Sequence, residues 1–109
     1  MAKTLDFNKT KKQYFTIILN DDDQTRLQII TPLKKQVAEL MEILPDDTQN
    51  PTDEDMSALY DLAARLMSRN KQKYEIEASL LEDILDFEDL CIFFDAFTDF
   101  IVEVSNAKN

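Results

Sequence analysis

The segment YFTIILNDDDQTRLQIITP, residues 14–32, decides the fold class. Tyr14–Leu19 is rich in β-branched and aromatic residues, and Arg26–Thr31 alternates apolar and polar side chains, as strands do. Asn20–Asp23 lies between them and has the composition of a turn. The pattern therefore predicts an antiparallel β-hairpin over residues 14–31. Five residues share its apolar face: Phe15, Ile17, Leu19, Leu27 and Ile29.

Helical signals follow the hairpin directly. Thr31 is predicted to cap a first helix, with Pro32 at its first position, where a missing N–H costs nothing. This helix is predicted to end at Pro45, and a polar linker spans residues 45–52. Its predicted apolar stripe is Leu33, Val37, Leu40, Met41 and Leu44.

A second helix is predicted to begin at a capping box formed by Thr52 and Asp55 and to end at Asn70. Its predicted apolar set is Met56, Leu59, Tyr60, Ala63, Leu66 and Met67. A short helix near 78–85 and a longer one near 87–104 follow, separated by a second cap at Asp86 and Asp89.

The predicted architecture is therefore α+β: a hairpin followed by three to four α-helices, in one domain spanning residues 1–109. Residues 1–13 are predicted to form a basic arm or a third, short edge strand that includes Leu5 and Phe7. Residues 105–109 are predicted to be a loose tail.

Missing residue types exclude several classes of site. The 109 residues include no Gly and no His. Phosphate-binding loops, dinucleotide turns and the nucleophile elbow need Gly, and His is the commonest general base and transition-metal ligand. The sequence therefore predicts no catalytic residues, no metal and no cofactor.

Charge is divided unevenly along the chain, which carries a net −10. Residues 1–35 hold seven bases and four acids, whereas residues 36–109 hold five bases and eighteen acids. This asymmetry concerns partners rather than fold and argues against nucleic-acid binding. Lys9, Lys11 and Lys12 beside Tyr14 form a small basic patch, interpreted as a solvated arm or an intermolecular charge contact.

Two other groups have competing interpretations. Asn20–Asp23 has clustered carboxylates but lacks the spacing and the Gly of a calcium loop, so an exposed hairpin turn is predicted. Cys91 is predicted to be a buried structural thiol, because it falls on the apolar stripe of the last helix and no His can activate it. A lone Cys cannot close an intrachain disulfide, and no apolar run approaches the roughly 18 residues of a membrane span. A cytoplasmic protein, with no membrane contact, is therefore predicted.

The last helix is unusually aromatic. Five of the seven phenylalanines lie between Phe87 and Phe100. They form a core alone, or a core together with an interface to another chain. A short hairpin is also marginal by itself, so a second copy that pairs with its edge would give a homo-oligomer.

Nearly the whole chain resembles small tail assembly chaperones of long-tailed phages and prophages of Gram-positive bacteria. The resemblance lies in LDFNK (5–9), YFTIIL (14–19), LAARLMSRN (62–70), DFEDL (86–90) and FFDAFTDFI (93–101). It implies a non-catalytic α+β protein of the host cytoplasm, absent from the mature virion. Such a protein keeps the tape measure protein soluble and yields to the tail tube protein. Matching positions in the terminal helix imply partner contacts at Phe93, Phe97, Phe100 and Ile101.

Two other classes remain open. An acidic phage-encoded inhibitor that mimics the charge of DNA and binds a host nucleic-acid enzyme is favoured by the net charge of −10. An enzyme would have to rely on carboxylates, Lys or Tyr alone.

Overall fold

A computed structural model describes residues 4–7, 12–43 and 52–106. The elements follow the chain as β1 (Tyr14–Ile18), β2 (Arg26–Ile30), α1 (Lys34–Ile43), α2 (Asp53–Ser68), α3 (Ala78–Ile84) and α4 (Phe87–Asn106). An antiparallel hairpin followed by four helices in one domain confirms the predicted α+β class.

The hairpin is present as predicted, and its predicted apolar face is buried or half-buried. Phe15 pairs with Ile29 and Ile17 pairs with Leu27. Leu27 and Ile29 are completely buried, because this face lies against the helices. The turn is held by Asp21, whose carboxylate accepts hydrogen bonds from the Thr25 N–H at 2.8 Å and the Thr25 hydroxyl at 2.5 Å. These two bonds hold the pKa of Asp21 below its ordinary value.

The outer edge of β2 is covered by the segment that leaves α2. In this closing segment, residues 69–72, the Arg69 carbonyl accepts from the Ile30 N–H, and the Lys71 N–H donates to the Gln28 carbonyl, both at 2.9 Å. The Gln72 side-chain oxygen accepts from the Gln28 N–H at 3.0 Å. The closing segment thus ties the hairpin to the end of α2.

Helix α1 corrects the predicted cap and stripe. The helix begins at Lys34, and the Leu33 N–H donates to the Gln36 side-chain oxygen at 3.0 Å. Thr31 is not the cap, because it lies three residues before the start of the helix; its carbonyl accepts a 2.8 Å hydrogen bond from Arg69 Nε beside β2. Of the predicted stripe, only Leu40 is buried. Val37 is half-buried, Leu33 and Met41 are exposed, and Leu44 lies outside the described residues.

Helix α2 is the centre of the core. Its predicted apolar positions are all buried except the half-buried Met56, and Leu62 and Ala64 are buried as well. The helix ends at Ser68, two residues before the predicted Asn70. The Ile76 N–H donates a 2.8 Å hydrogen bond to the Ser68 hydroxyl.

The capping box of α2 is present as predicted. The Asp55 N–H donates to Thr52 Oγ1 at 3.1 Å, and the Thr52 N–H donates to the Asp55 carboxylate at 3.0 Å. Replacing Thr52 by Ala should lower the free energy of unfolding by about 1 kcal/mol, as measured by urea denaturation. Ser57→Ala, at an exposed position inside the same helix, is the control. Equal losses in the two variants would contradict the contribution of the cap.

The C-terminal helices divide where the sequence predicts. Asp86 and Asp89 form a reciprocal cap in which the Asp89 N–H donates to the Asp86 carboxylate at 2.8 Å. Helix α4 continues to Asn106, so Ser105 and Asn106 are helical rather than part of a loose tail. At the other end, residues 4–7 contain no strand, and the remainder of the predicted edge strand lies largely outside the described residues.

Candidate interaction surface

The predicted partner-binding phenylalanines lie in the core. Phe97 is completely buried, and Phe93 and Phe100 are 7% and 6% exposed. Phe15 of β1 explains this burial, because its ring lies between 5.6 and 6.2 Å from the rings of all three. A partner could therefore reach Phe97 only if α4 moved away from the hairpin.

Ile101, the fourth predicted contact residue, is half-buried and lines an open cleft between α1 and α4. The volume of this α1–α4 cleft is about 670 Å³. Its lining residues are Thr31, Pro32, Lys34, Val37, Ala38, Ile101, Val104 and Ser105. The cleft is thus mainly apolar, with Lys34 as its charged lining residue.

The orientation of α1 explains why this cleft stays open. Arg65 of α2 binds Glu39 of α1 through the two terminal nitrogens of its guanidinium, at 2.9 and 2.7 Å. This pair and the buried Leu40 set one face of α1 against α2. Leu33 and Met41, which are 45% and 58% exposed, flank Val37 at helical spacing on the free face. The apolar surface of the cleft therefore extends along α1.

The outward face of α4 is acidic. Its exposed residues include Glu88, Asp95, Asp99 and Glu103. Within the described chain, ion pairs join Arg65 to Glu39 and Asp61, and none includes an acid of this face. Ile92 and Val102, 61% and 51% exposed, lie on the same helix. The surface combines negative charge with isolated apolar side chains.

The prediction of a buried thiol is wrong, because Cys91 is exposed on α4. Partial desolvation raises the pKa of Cys91, and the carboxylates of Asp95 and Glu88 raise it further. The thiol is therefore accessible but weakly nucleophilic at neutral pH.

This assignment predicts slow alkylation of Cys91. The rate of alkylation by iodoacetamide is measured against pH in the folded protein and in the urea-unfolded chain. The pH of the half-maximal rate should be higher in the folded protein, because at any given pH a smaller fraction of Cys91 is thiolate there. Asp95→Asn should lower that midpoint, since it removes one of the nearby negative charges. A folded-state midpoint at or below that of the unfolded chain would refute the prediction.

Tyr14, the aromatic residue of the predicted basic patch, has a cation over its ring. The cation over the Tyr14 ring is Lys71 of the closing segment, with Nζ 5.4 Å from the ring centroid. Lys12 is exposed, whereas Lys9 and Lys11 lie outside the described residues. The contact with Lys71 adds to the attachment of the closing segment to the hairpin.

Asn20–Asp23 forms the predicted turn, with Asp21 directed inward toward Thr25. Across residues 4–7, 12–43 and 52–106, no group of three or more His, Cys, Asp or Glu side chains is placed to hold a metal ion. No helix in these ranges is both long enough and apolar enough to cross a membrane.

Sequence reasoning missed two polar features that position the surface. Asn70, read only as a helix end, is 4% exposed and binds the backbone of Met67 and Tyr74. Arg69 donates from Nε to the Thr31 carbonyl beside β2. The polar stretch Ser68–Gln72 gives no signal that sets Asn70 apart from its neighbours.

Comparison with known proteins gives no match: no family model, curated protein or solved structure is similar to the chain.

Proposed function

We propose that the chain is a non-catalytic tail assembly chaperone that binds the tape measure protein in the host cytoplasm and keeps it soluble until tail tube subunits replace it. The observation that carries the proposal is the open apolar α1–α4 cleft, which a helix of a partner would fill. The resemblance of the terminal helix to this family supports the same assignment.

The surface properties suit reversible masking of an aggregation-prone client. An apolar cleft flanked by the exposed Leu33 and Met41 offers contact area to one face of an amphipathic helix. The net charge of −10 keeps such a complex dispersed. Among the predicted contact residues, Ile101 lines this cleft, whereas Phe93, Phe97 and Phe100 are buried in the core.

Co-expression with the tape measure protein of the encoding phage or prophage tests the proposal. The client should become soluble and co-purify at low and at high salt, because an apolar contact resists screening. Ala38→Glu places a charge in the cleft from an exposed position and should abolish co-purification. Ile92→Glu, an exposed position on α4 outside the cleft lining, is the matched control and should retain it.

An insoluble client at both salt concentrations would reject the chaperone proposal. Equal binding by Ala38→Glu and wild type would reject the cleft as its site. Far-UV circular dichroism of both variants checks that the helices are intact.

The acidic face of α4 favours a second candidate, an inhibitor that mimics DNA charge and binds a host nucleic-acid enzyme. Such binding should weaken steeply as salt increases. It should also weaken in Asp95→Asn/Asp99→Asn, whereas Ala38→Glu should leave it unchanged. These opposite responses distinguish the two functions.

A further inference from the structure

The two edges of the hairpin differ in their backbone hydrogen bonding. The outer edge of β2 is bonded to the closing segment through Gln28 and Ile30. The backbone N–H and C=O groups of these two residues point away from β1. In an antiparallel pair, the same groups of their partners Thr16 and Tyr14 therefore point away from β2, toward the other edge of the hairpin. The backbone groups of Ile18 also point outward, because those of the next residue point inward: the Leu19 N–H donates to the Thr25 carbonyl within the hairpin. In the described chain, no strand pairs with this edge of β1.

The open edge lacks the features that normally prevent pairing. β1 has the sequence YFTII, without a charged residue or proline. Thr16 is exposed, and Ile18 is 57% exposed. The segment is therefore accessible to another strand.

We propose that the edge of β1 binds β1 of a second copy of this chain, antiparallel, about a two-fold axis at Thr16. In this register Thr16 faces Thr16 of the partner subunit, and Tyr14 faces Ile18 of the partner subunit. The three outward residues of each copy then form three pairs across the interface. Each pair exchanges two N–H···O bonds, so the interface contains six backbone hydrogen bonds. The two hairpins become one four-stranded sheet, and each Ile18 gains an apolar neighbour.

Charge at the two ends of β1 selects a second copy as the occupant. Lys12 precedes the strand, and the acidic turn Asp21–Asp23 follows it. An antiparallel copy in this register sets Lys12 opposite Asn20 of the partner subunit, next to that acidic turn. Opposite charges therefore meet at both ends of the paired strands, whereas a parallel copy would bring like charges together. This inference does not depend on the proposed chaperone function.

Sedimentation velocity over a concentration series tests the pairing. The wild-type protein should reach twice the chain mass of 12.7 kDa. Thr16→Pro removes an outward N–H that no hydrogen bond among the described residues uses, and should weaken the dimer about ten- to hundredfold. Thr16→Val keeps that N–H and should dimerise like wild type. If Thr16→Pro disturbs the hairpin by circular dichroism, Ile18→Lys decides, because this exposed side chain would place a charge beside Tyr14 of the partner subunit.

A charge-reversal pair fixes the register. Lys12→Glu should weaken the dimer, and Lys12→Glu/Asp22→Lys should restore it, because the double variant exchanges the two signs. A wild-type protein that stays monomeric at its highest attainable concentration would overturn the proposal. So would a dimer that Thr16→Pro and Ile18→Lys leave unchanged.

Discussion

Replacing Phe97 by Ala should lower the free energy of unfolding by about 3–5 kcal/mol. Phe97 is completely buried, and its ring lies 5.5 Å from Phe93, 5.8 Å from Phe15 and 5.9 Å from Phe100. Truncation removes these contacts and leaves a cavity between β1 and α4. A domain of this size has a free energy of unfolding of roughly 5–15 kcal/mol in total. The expected loss is therefore a large fraction of the stability of the protein. Urea denaturation measures the loss.

Ile92→Ala is the control, since Ile92 is on the same helix and 61% exposed. It should change the free energy of unfolding by no more than about 0.5 kcal/mol. A loss below about 1 kcal/mol for Phe97→Ala would contradict the described core. The expected loss also has a practical consequence: substitution of Phe93 or Phe97 by Ser cannot test partner binding, because unfolding would mimic a lost contact.

Replacing Asn70 by Leu should lower the free energy of unfolding by about 2–4 kcal/mol, the second large effect. The amide of Asn70 donates to the Met67 carbonyl at 2.7 Å and to the Tyr74 carbonyl at 2.9 Å. Its oxygen accepts from the Tyr74 N–H at 2.9 Å. Leu fills a similar volume but leaves these three backbone groups without their side-chain partner. Asn106→Leu, at an exposed position in α4, should be nearly neutral.

Asn70→Asp separates lost hydrogen bonds from altered packing. The introduced carboxyl would face two carbonyl oxygens in a buried position, so its pKa should be raised in the folded state. The variant should therefore be most stable at low pH and should lose stability, relative to wild type, as pH rises above about 4. Denaturation at a series of pH values measures this difference. A pH-independent difference would show that the amide donors contribute little.

The hairpin and the starts of α2 and α4 could be predicted because their signals are local. Period-two alternation specifies the buried face of β2, and the two side-chain caps specify where α2 and α4 begin. The start of α1 could not be predicted in this way. Thr31 is a good capping residue, but the helix begins only at Lys34, where the Gln36 side chain accepts from the Leu33 N–H.

The candidate site was harder to predict, because hydrophobicity gives the pattern of a helix face but not its orientation. On α4, the spacing of the aromatic residues fits a partner-binding stripe as well as it fits a core stripe. Only the position of Phe15 shows that they are internal. On α1, the pairing of Glu39 with Arg65 turns part of the apolar stripe outward. The sequence predicted Ile101 as a contact residue together with three phenylalanines, whereas in the structure Ile101 lines the open cleft and the three rings are buried.

The closing segment also sets an order of events during synthesis. Both strands have been translated by residue 30, yet the segment that covers β2 is complete only at residue 72. At about 5–20 residues per second, the ribosome takes roughly 2 to 8 s to make the intervening chain. During this interval the outer edge of β2 lacks the closing segment, and the rings that cover Phe15 have not been made. The newly made hairpin is therefore the part of this chain most exposed to pairing with neighbouring nascent chains on the same messenger RNA.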